Sequence, residues 1–487
     1  MPRAAFRLDN LFGFIGFFMT ISDTVISAIS TPIGTGGIGI IRLSGFGSVD
    51  IASSVFRLAG TCGAHFPAIP QKFESHRFYY GHVVDPENMH VIDEAMLVCM
   101  KAPRSYTRED VVEIHIHSGL VVLRETLELV LRQGARLAEP GEFTRRAFLN
   151  GRIDLIHAEA VIDLINSKST SALEVVRRHL SGELSEQIEN IKSNFMKVLA
   201  IIDAGIDFPD EVDEVHDVNA WVEMLKSSVL EPCEQLVDGY KSGHFLRDGL
   251  VLAVVGKPNV GKSSLMNQLV GKQKSIVTDV PGTTRDLIEV PVAIEGIPIV
   301  FCDTAGIHPT QCPIEIIGIQ KARECIEACD LVLFVLDAAT GMGPEDLEIF
   351  ENVKGKPLIL VFNKMDLVDK PNDDPLPDDW KGRPRIHVSA KYNQAIDSLR
   401  SMVIEFVSGN SLAGVHDRII PNIRQKLLLE KAVSSVKSAI SGIYQKIPHE
   451  LLAIDLNEGL NALNEIGGNV NRLDVLDRIF SQFCIGK

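Results

Sequence analysis

Gly256-Lys257-Pro258-Asn259-Val260-Gly261-Lys262-Ser263 stands between the apolar run Leu250 to Val255 and the helix-forming stretch Ser264 to Leu269. Strand, glycine-rich loop and helix therefore follow in the order a phosphate cradle requires. Such a loop turns backbone N–H groups and a helix N-terminus toward phosphate oxygens, with Lys262 reaching the outer phosphates and the Ser263 hydroxyl a magnesium ion. A chance glycine-rich turn is the competing reading, and the downstream order of motifs speaks against it. Thr283-Thr284 offer a hydroxyl to complete the magnesium shell, and Asp303-Thr304-Ala305-Gly306 closes the β-like run Ile297 to Cys302. Asp303 can hold the metal through water while Gly306 offers an N–H to the last phosphate. Asn363-Lys364-Met365-Asp366 follows the buried-strand pattern Leu358 to Phe362. Its terminal carboxylate can accept two guanine N–H groups, which adenine cannot supply. Ser389-Ala390-Lys391, after Arg385 to Val388, supplies a backbone contact to the guanine oxygen. With Ser264 in the first helical turn, these residues form a candidate GTP/GDP site.

Ile307 follows Asp-Thr-Ala-Gly where many GTPases carry a glutamine that orients the attacking water. Isoleucine has no polar atom for that task. Either hydrolysis is negligible, or another group polarises the water and a cation replaces the arginine finger. The amide oxygen of Asn259 lies where it could ligate a monovalent cation. Glu315 is a loop carboxylate that could reach the water, although loop acids are more often merely solvated.

At 487 residues the chain is expected to hold about three domains. A net charge of −16 repels nucleic acid overall, so any RNA contact needs a local basic patch or a partner. Arg145, Arg146 and Arg152, or Arg177 and Arg178, are candidates, with solvated helix faces as the simpler reading. The eight cysteines are scattered without paired Cys-x-x-Cys spacing, which suggests reduced thiols in a cytoplasmic protein. Cys325 and Cys329 lie one helical turn apart, too few ligands for a metal site. The run Leu11 to Met19 is interrupted by glycines and is far short of a membrane span, so no membrane partner is expected.

Periodicity divides the remainder. Residues 19–139 read as an α+β unit, with alternation in Val111 to His117. Gly34 to Gly39 formally fits a dinucleotide fingerprint, but Ile40 to Leu43 reads as strand where that motif needs a helix. Glu113, His115 and His117 would share one face of their strand, as half-buried polar packing or, less simply, as a metal triad. Residues 140–247 and 410–487 are helical in pattern, with apolar spacing of three to four in Ile153 to Ile165 and Ile188 to Ile202. Placing a P-loop (Ras-like) G domain at 248–409 makes it an insertion into one helical domain built from both blocks.

The two ends of the chain carry a more specific signal. The tail Arg478-Ile479-Phe480-Ser481-Gln482-Phe483-Cys484-Ile485-Gly486-Lys487 closes on Cys-Ile-Gly-Lys. Upstream stand Thr31-Pro32-Ile33-Gly34, Ser105-Tyr106-Thr107 with Glu109-Asp110-Val111-Val112-Glu113, and Pro140-Gly141-Glu142-Phe143-Thr144-Arg145-Arg146-Ala147-Phe148-Leu149-Asn150-Gly151. From about Asp23 to Lys487 the chain resembles the MnmE (TrmE) family of tRNA wobble-uridine modification GTPases. Residues 1–18 then form an extension ahead of the family-like sequence.

The resemblance implies a homodimer whose G domains meet across their nucleotides. It also implies potassium in place of the arginine finger, held by Asn259 and by Thr278-Asp279-Val280-Pro281-Gly282-Thr283. The family's water-orienting glutamate falls on Glu315, which reverses the solvated-loop reading. The N-terminal domain is implied to bind a tetrahydrofolate derivative through Arg42, Glu113 and Arg152, with Lys487 reaching in. The family's Gly-Arg-Gly-Gly is here Gly34-Thr35-Gly36-Gly37, and its Gly-His-Gly-Gly is replaced around Ile116-His117-Ser118-Gly119. An MnmG (GidA)-type FAD protein is the implied partner, and tRNA the substrate. Cys484 is the candidate catalytic residue outside the G domain, as thiolate nucleophile or base, against a packed tail cysteine. A ribosome-assembly GTPase is the alternative; it should append a basic RNA-binding module, and none is visible. A membrane-remodelling GTPase would need a membrane helix or basic tip.

Overall fold

The computed structural model describes residues 24–34, 36–59, 73–167, 169–207, 218–271, 291–294, 297–303, 325–368, 377–409, 419–468 and 473–487. The chain divides into two compact units, Met1–Ile162 with Gly467–Lys487, and Asp163–Ile466.

The first unit is built on a seven-stranded sheet of order β3-β4-β5-β6-β2-β1-β7. Its strands are β1 Ile26–Ile29, β2 Ile38–Ser44, β3 Phe56–Leu58, β4 Phe78–Val84, β5 Val91–Met100, β6 Val111–His117 and β7 Arg136–Leu137. Only β7, which runs parallel to β1, breaks the antiparallel pairing. Period-two alternation on β6 sends Val112, Ile114 and Ile116 into a core with Leu43, Leu97 and the Leu123 and Val130 side chains of helix Leu120–Arg132. Glu113, His115 and His117 occupy the opposite face. The glycine run Gly34 to Gly39 leads into β2, a strand rather than a helix. Close packing of the tail demands a glycine at Gly141, whose φ is 69° and whose Cβ would lie 2.4 Å from the Phe480 carbonyl oxygen. That contact seats helix Leu473–Phe480, and its Leu476 and Phe480 join Leu155 and Ala158 in a small core.

Arg146 corrects the solvated-face reading. It is 3% exposed, with its guanidinium held by Glu109 at 3.0 Å, by Glu142 one helical turn earlier at 3.1 Å, and by the Thr24 carbonyl at 3.0 Å. A buried cation persists only where paired acceptors surround it. Arg178 is likewise engaged, with Glu183 at 2.8 Å, whereas Arg177 is exposed.

The second unit contains a six-stranded sheet of order β13-β12-β11-β8-β10-β9. These strands are β8 Leu250–Val255, β9 Pro291–Ile294, β10 Ile297–Asp303, β11 Leu331–Asp337, β12 Leu358–Asn363 and β13 Arg385–His387. All neighbours are parallel except β9 with β10. Every residue of β11 is buried, as expected of a parallel strand covered on both faces. Leu331, Leu333 and Val335 pack with Leu399 and Val403 on one side, and Val332, Phe334 and Leu336 with Phe350 and Trp380 on the other. In the same unit, helix Glu231–Asp248 packs on helices Thr170–Leu180 and Ile423–Tyr444. The chain just ahead of Ile423–Tyr444 also passes close to Glu231–Asp248, so that a Cβ on Gly239 would lie 2.7 Å from the Ile419 carbonyl oxygen. Reciprocal bonds between Asn422 and Gln425, both 2.8 Å, cap the start of Ile423–Tyr444.

His179, on helix Thr170–Leu180, is 2% exposed. Burial and the neighbouring Arg247 cation push its pKa down to about 4, against a weaker upward pull from its hydrogen bond to the Ile420 backbone. The folded state thus holds a neutral ring while the unfolded chain takes up a proton below about pH 6.5. Stability falls as pH drops through that window, by about 2 kcal/mol between pH 7 and pH 5. His244 acts in the opposite sense. Although burial lowers its pKa, Asp330 at 3.1 Å outweighs that and raises it, so its contribution is present below the unfolded value and fades as pH rises. His179→Gln keeps a donor for Ile420 without the titration; unfolding free energies from urea titrations at the two pH values should converge by about that 2 kcal/mol, and an unchanged acid slope would reject the assignment.

Cys99, Cys233 and Cys329 are buried and free, and Cys484 is exposed and free. Cys325 is disulfide-bonded, contrary to the expectation of reduced thiols, because spacing along the chain does not report proximity in the fold. Among the described residues no helix is long and apolar enough to cross a membrane.

Candidate functional site

β8 lies between β10 and β11, where the chain order of the parallel sheet reverses. The loops leaving the carboxyl ends of β8, β11, β12 and β13 therefore share one edge, the position at which such sheets bind ligands. Four of the expected motifs reach this edge or its neighbouring strand, and side chains from distant stretches interlock there.

The phosphate loop leaves β8 at Gly256, where φ is 153° and a Cβ would lie 2.3 Å from the Val335 carbonyl oxygen. Asn259 takes a left-handed conformation at φ 63° and is exposed. Gly261, at φ 96°, opens helix Lys262–Val270, and Ser263 and Ser264 are exposed in its first turn. The Lys262 ammonium donates to the carbonyls of Gly256 at 2.7 Å and Lys257 at 2.8 Å. Exposed hydroxyl and amide oxygens at Ser263 and Asn259 suit hard cations.

Asn363, expected among the nucleotide contacts, ties protein segments together. Its Nδ2 donates to the buried Val260 carbonyl at 2.8 Å, and its Oδ1 accepts the Ala390 N–H at 3.0 Å. The exposed Asp366 carboxylate accepts the Ser389 hydroxyl at 2.6 Å, which orients it while leaving its other oxygen available for a base edge. Lys364, left-handed at φ 67°, reaches the Asp337 carboxylate at 2.7 Å. Burial would raise the Asp337 pKa, but the Lys364 ammonium and the Ala339 and Thr340 N–H groups outweigh it and hold the carboxyl below its ordinary range. Asp337 was not among the expected site residues; its signal is the acid ending the otherwise apolar run Leu331 to Leu336. Lys391 is exposed, with its ammonium 5.0 Å from the centre of the Tyr392 ring. Asp303 ends β10 in register with Val254. Thr278, Asp279, Val280, Pro281, Gly282, Thr283, Thr284, Thr304, Ala305, Gly306 and Glu315 lie outside the described residues.

In the first unit a second group of expected residues assembles beside the tail. Arg42 on β2 donates to Glu113 on β6 at 2.9 Å and to the Gly486 carbonyl at 3.1 Å. Ser30 also donates to that carbonyl at 3.1 Å. The His115 bond to Glu113, together with the Arg42 cation, keeps the Glu113 carboxyl below its usual range against the upward effect of burial. His117 turns away to Asp93 at 2.9 Å, so the three polar residues of β6 do not converge on one point. The Arg42 guanidinium stands 5.7 Å from the Phe143 ring, and Arg152 stands 4.8 Å from that of Tyr106, which packs on the small core of Ile26, Ala28, Ala138 and Phe143. Arg152 also donates to the Tyr106 carbonyl at 2.7 Å. Arg145 pairs with Asp477 at 3.1 Å, and Lys487 is half-buried.

A model of the MnmE helical domain matches residues 155–484, and one described as the GTP-binding protein TrmE N-terminus matches residues 25–152. The tRNA modification GTPase MnmE of Acetivibrio thermocellus is 42% identical over 466 residues, 96% of this chain and 99% of that protein. The chain belongs to the MnmE family of tRNA modification GTPases. The MnmE of Geobacter sulfurreducens is 44% identical over 471 residues, 96% of this chain and all of that protein, and the MnmE of Bacillus subtilis 40% over 463 residues, 95% and 99%. The multidomain α/β architecture, with a TrmE-like N-terminal part and an MnmE helical part, agrees with that membership.

Proposed function

We propose that this chain is a potassium-stimulated GTPase which, with an MnmG (GidA)-type flavoprotein, modifies the wobble uridine of certain tRNAs at the fifth ring carbon. The product would be of the aminomethyl or carboxymethylaminomethyl type, with a tetrahydrofolate derivative as one-carbon donor. The observation that carries the GTPase half is the interlocked edge formed by Lys262, Asn363, Asp366 and Ser389 in a chain of this family. The G domain is taken as 248–409, inserted between helical segments 140–247 and 410–487, with a folate-binding domain at 19–139 and an extension at 1–18.

In this reading Lys262 and the N–H groups from Val260 to Ser264 cradle the phosphates, Ser263 and Thr284 hold Mg2+, and Asp366 reads guanine. K+ bound by Asn259 and the loop Thr278 to Thr283 supplies the positive charge an arginine finger brings elsewhere. Glu315 aims the attacking water. Arg42, Glu113, Arg152 and Lys487 hold the folate, and Cys484 serves the carbon chemistry. The protein works as a cytoplasmic homodimer.

Turnover should be much faster in potassium than in sodium, and equal, slow rates in both salts would reject the cation role. Glu315→Ala should lower kcat by about 100-fold while GDP affinity stays within about twofold; unchanged turnover would remove the water-orienting assignment. Nucleoside analysis of tRNA from a strain lacking the protein should show loss of the modified wobble uridine.

A further inference from the structure

We propose that Lys257 and Asp346 form a positioning pair for the nucleotide reaction, an ionic strut between the phosphate loop and helix Pro344–Val353. The inference rests on the nucleotide-site reading above and adds to it two residues whose roles the motifs do not assign. Asp346 is 0% exposed. Its Oδ2 accepts the Gly343 N–H at 2.8 Å, closing the start of the helix, and lies 2.7 Å from the Lys257 ammonium.

Capping alone would be served by a neutral amide. A carboxylate this deep needs a cation beside it, and removing that cation leaves a buried charge uncompensated. A Cβ on Gly343 would sit in ordinary contact with Lys257 Nζ, at 3.4 Å, so the ammonium lies directly against the start of the helix.

Lys257 occupies the corner of the phosphate loop. Gly256 before it is pressed against Val335, and Pro258 after it restricts the backbone. The Lys257 carbonyl is one of the two that receive the Lys262 ammonium. The side chain of Lys257 therefore pins the loop from one side while its carbonyl holds Lys262 on the other. On nucleotide binding Lys262 redistributes its three N–H donors between these carbonyls and phosphate oxygens. A corner held by Asp346 keeps the loop N–H groups aimed during the exchange, which is where preorganisation acts. The strut ends on the segment that begins at Asp337, whose carboxylate holds Lys364. Phosphate corner and base-side loop are thus tied to one short stretch of chain.

The test uses the full-length protein with Lys257→Met, Asp346→Asn, their combination, and Lys257→Arg. Dissociation of a fluorescent GDP and the separate values of kcat and KM for GTP are measured. Each single neutral variant should raise the GDP off-rate and KM by about tenfold, with kcat changed by less than about threefold. The combined variant should be no worse than the worse single, and Lys257→Arg should restore the off-rate to within about twofold of wild type. Off-rates near wild type in both singles, or effects that multiply in the combination, would overturn the strut. If Lys257→Met fails to fold because it strands a buried carboxylate, Asp346→Asn and Lys257→Arg decide the matter: a slow off-rate in the first, or a fast one in the second, rejects it. Failure of the wild-type protein to bind GDP would instead reject the nucleotide site itself.

Discussion

Gly261→Ala is expected to lower kcat/KM for GTP by about 100-fold or more in a chain that still folds. The residue sits at φ 96°, where an L side chain is strained, and its Cβ would lie 2.3 Å from Asn363 Nδ2. That amide cannot step aside cheaply, because it donates to Val260 and its oxygen accepts from Ala390. One methyl group therefore disturbs the phosphate loop and the loops after β12 and β13 together. A misplacement of about 1 Å at reacting groups is enough to cost two orders of magnitude. GTP turnover and GDP titration would measure the loss, with circular dichroism confirming an intact fold. Wild-type turnover would mean that the Asn363 bridge does not position the site.

Gly486→Ala should separate the two activities. Its φ is 97°, and a Cβ would stand 2.5 Å from the Ile29 carbonyl oxygen and 2.9 Å from Ser30 Cα. Neither backbone atom can move without disturbing β1, so the tail must lift. The Gly486 carbonyl would then leave Arg42 and Ser30, while the Arg42–Glu113 pair remains. Because the phosphate loop belongs to the other compact unit, GTP turnover should stay within about twofold of wild type. tRNA modification should fall at least about tenfold, since the seat of the tail on Arg42 and Ser30 is lost. Liquid chromatography of nucleosides from a strain carrying only this variant would read the second quantity. Normal modification would show that the seated tail is not required, and a parallel loss of GTPase activity would show that the effect is not confined to it.

The motifs gathered at the sheet edge were legible in the sequence because each is local. A strand followed by Gly-x-x-x-x-Gly-Lys-Ser, or by Asn-Lys-x-Asp, announces itself within about ten residues. The alternation of Val111 to His117 correctly put Glu113 on the polar face of β6, opposite Ile114 and Ile116. Reading Arg146 as a surface residue failed because its acceptor Glu109 and the Thr24 carbonyl come from distant stretches that only the fold brings together. The Asn363 motif points to a nucleotide contact, and the fold adds bonds from its amide to Val260 and Ala390, which no motif spacing encodes.

By itself the sequence determined the order of elements, the chemistry offered at the sheet edge and, through its two ends, the family. Periodicity and short motifs act over one or two turns of chain, and those distances are written in the residue order. Tertiary structure alone decided the Lys257–Asp346 strut, the seat of Gly486 on Arg42 and the pairing of Lys364 with Asp337. Each joins residues from separate elements, so its existence depends on how strands and helices pack against a common core, and that follows from the summed burial of many side chains rather than from any stretch read in isolation.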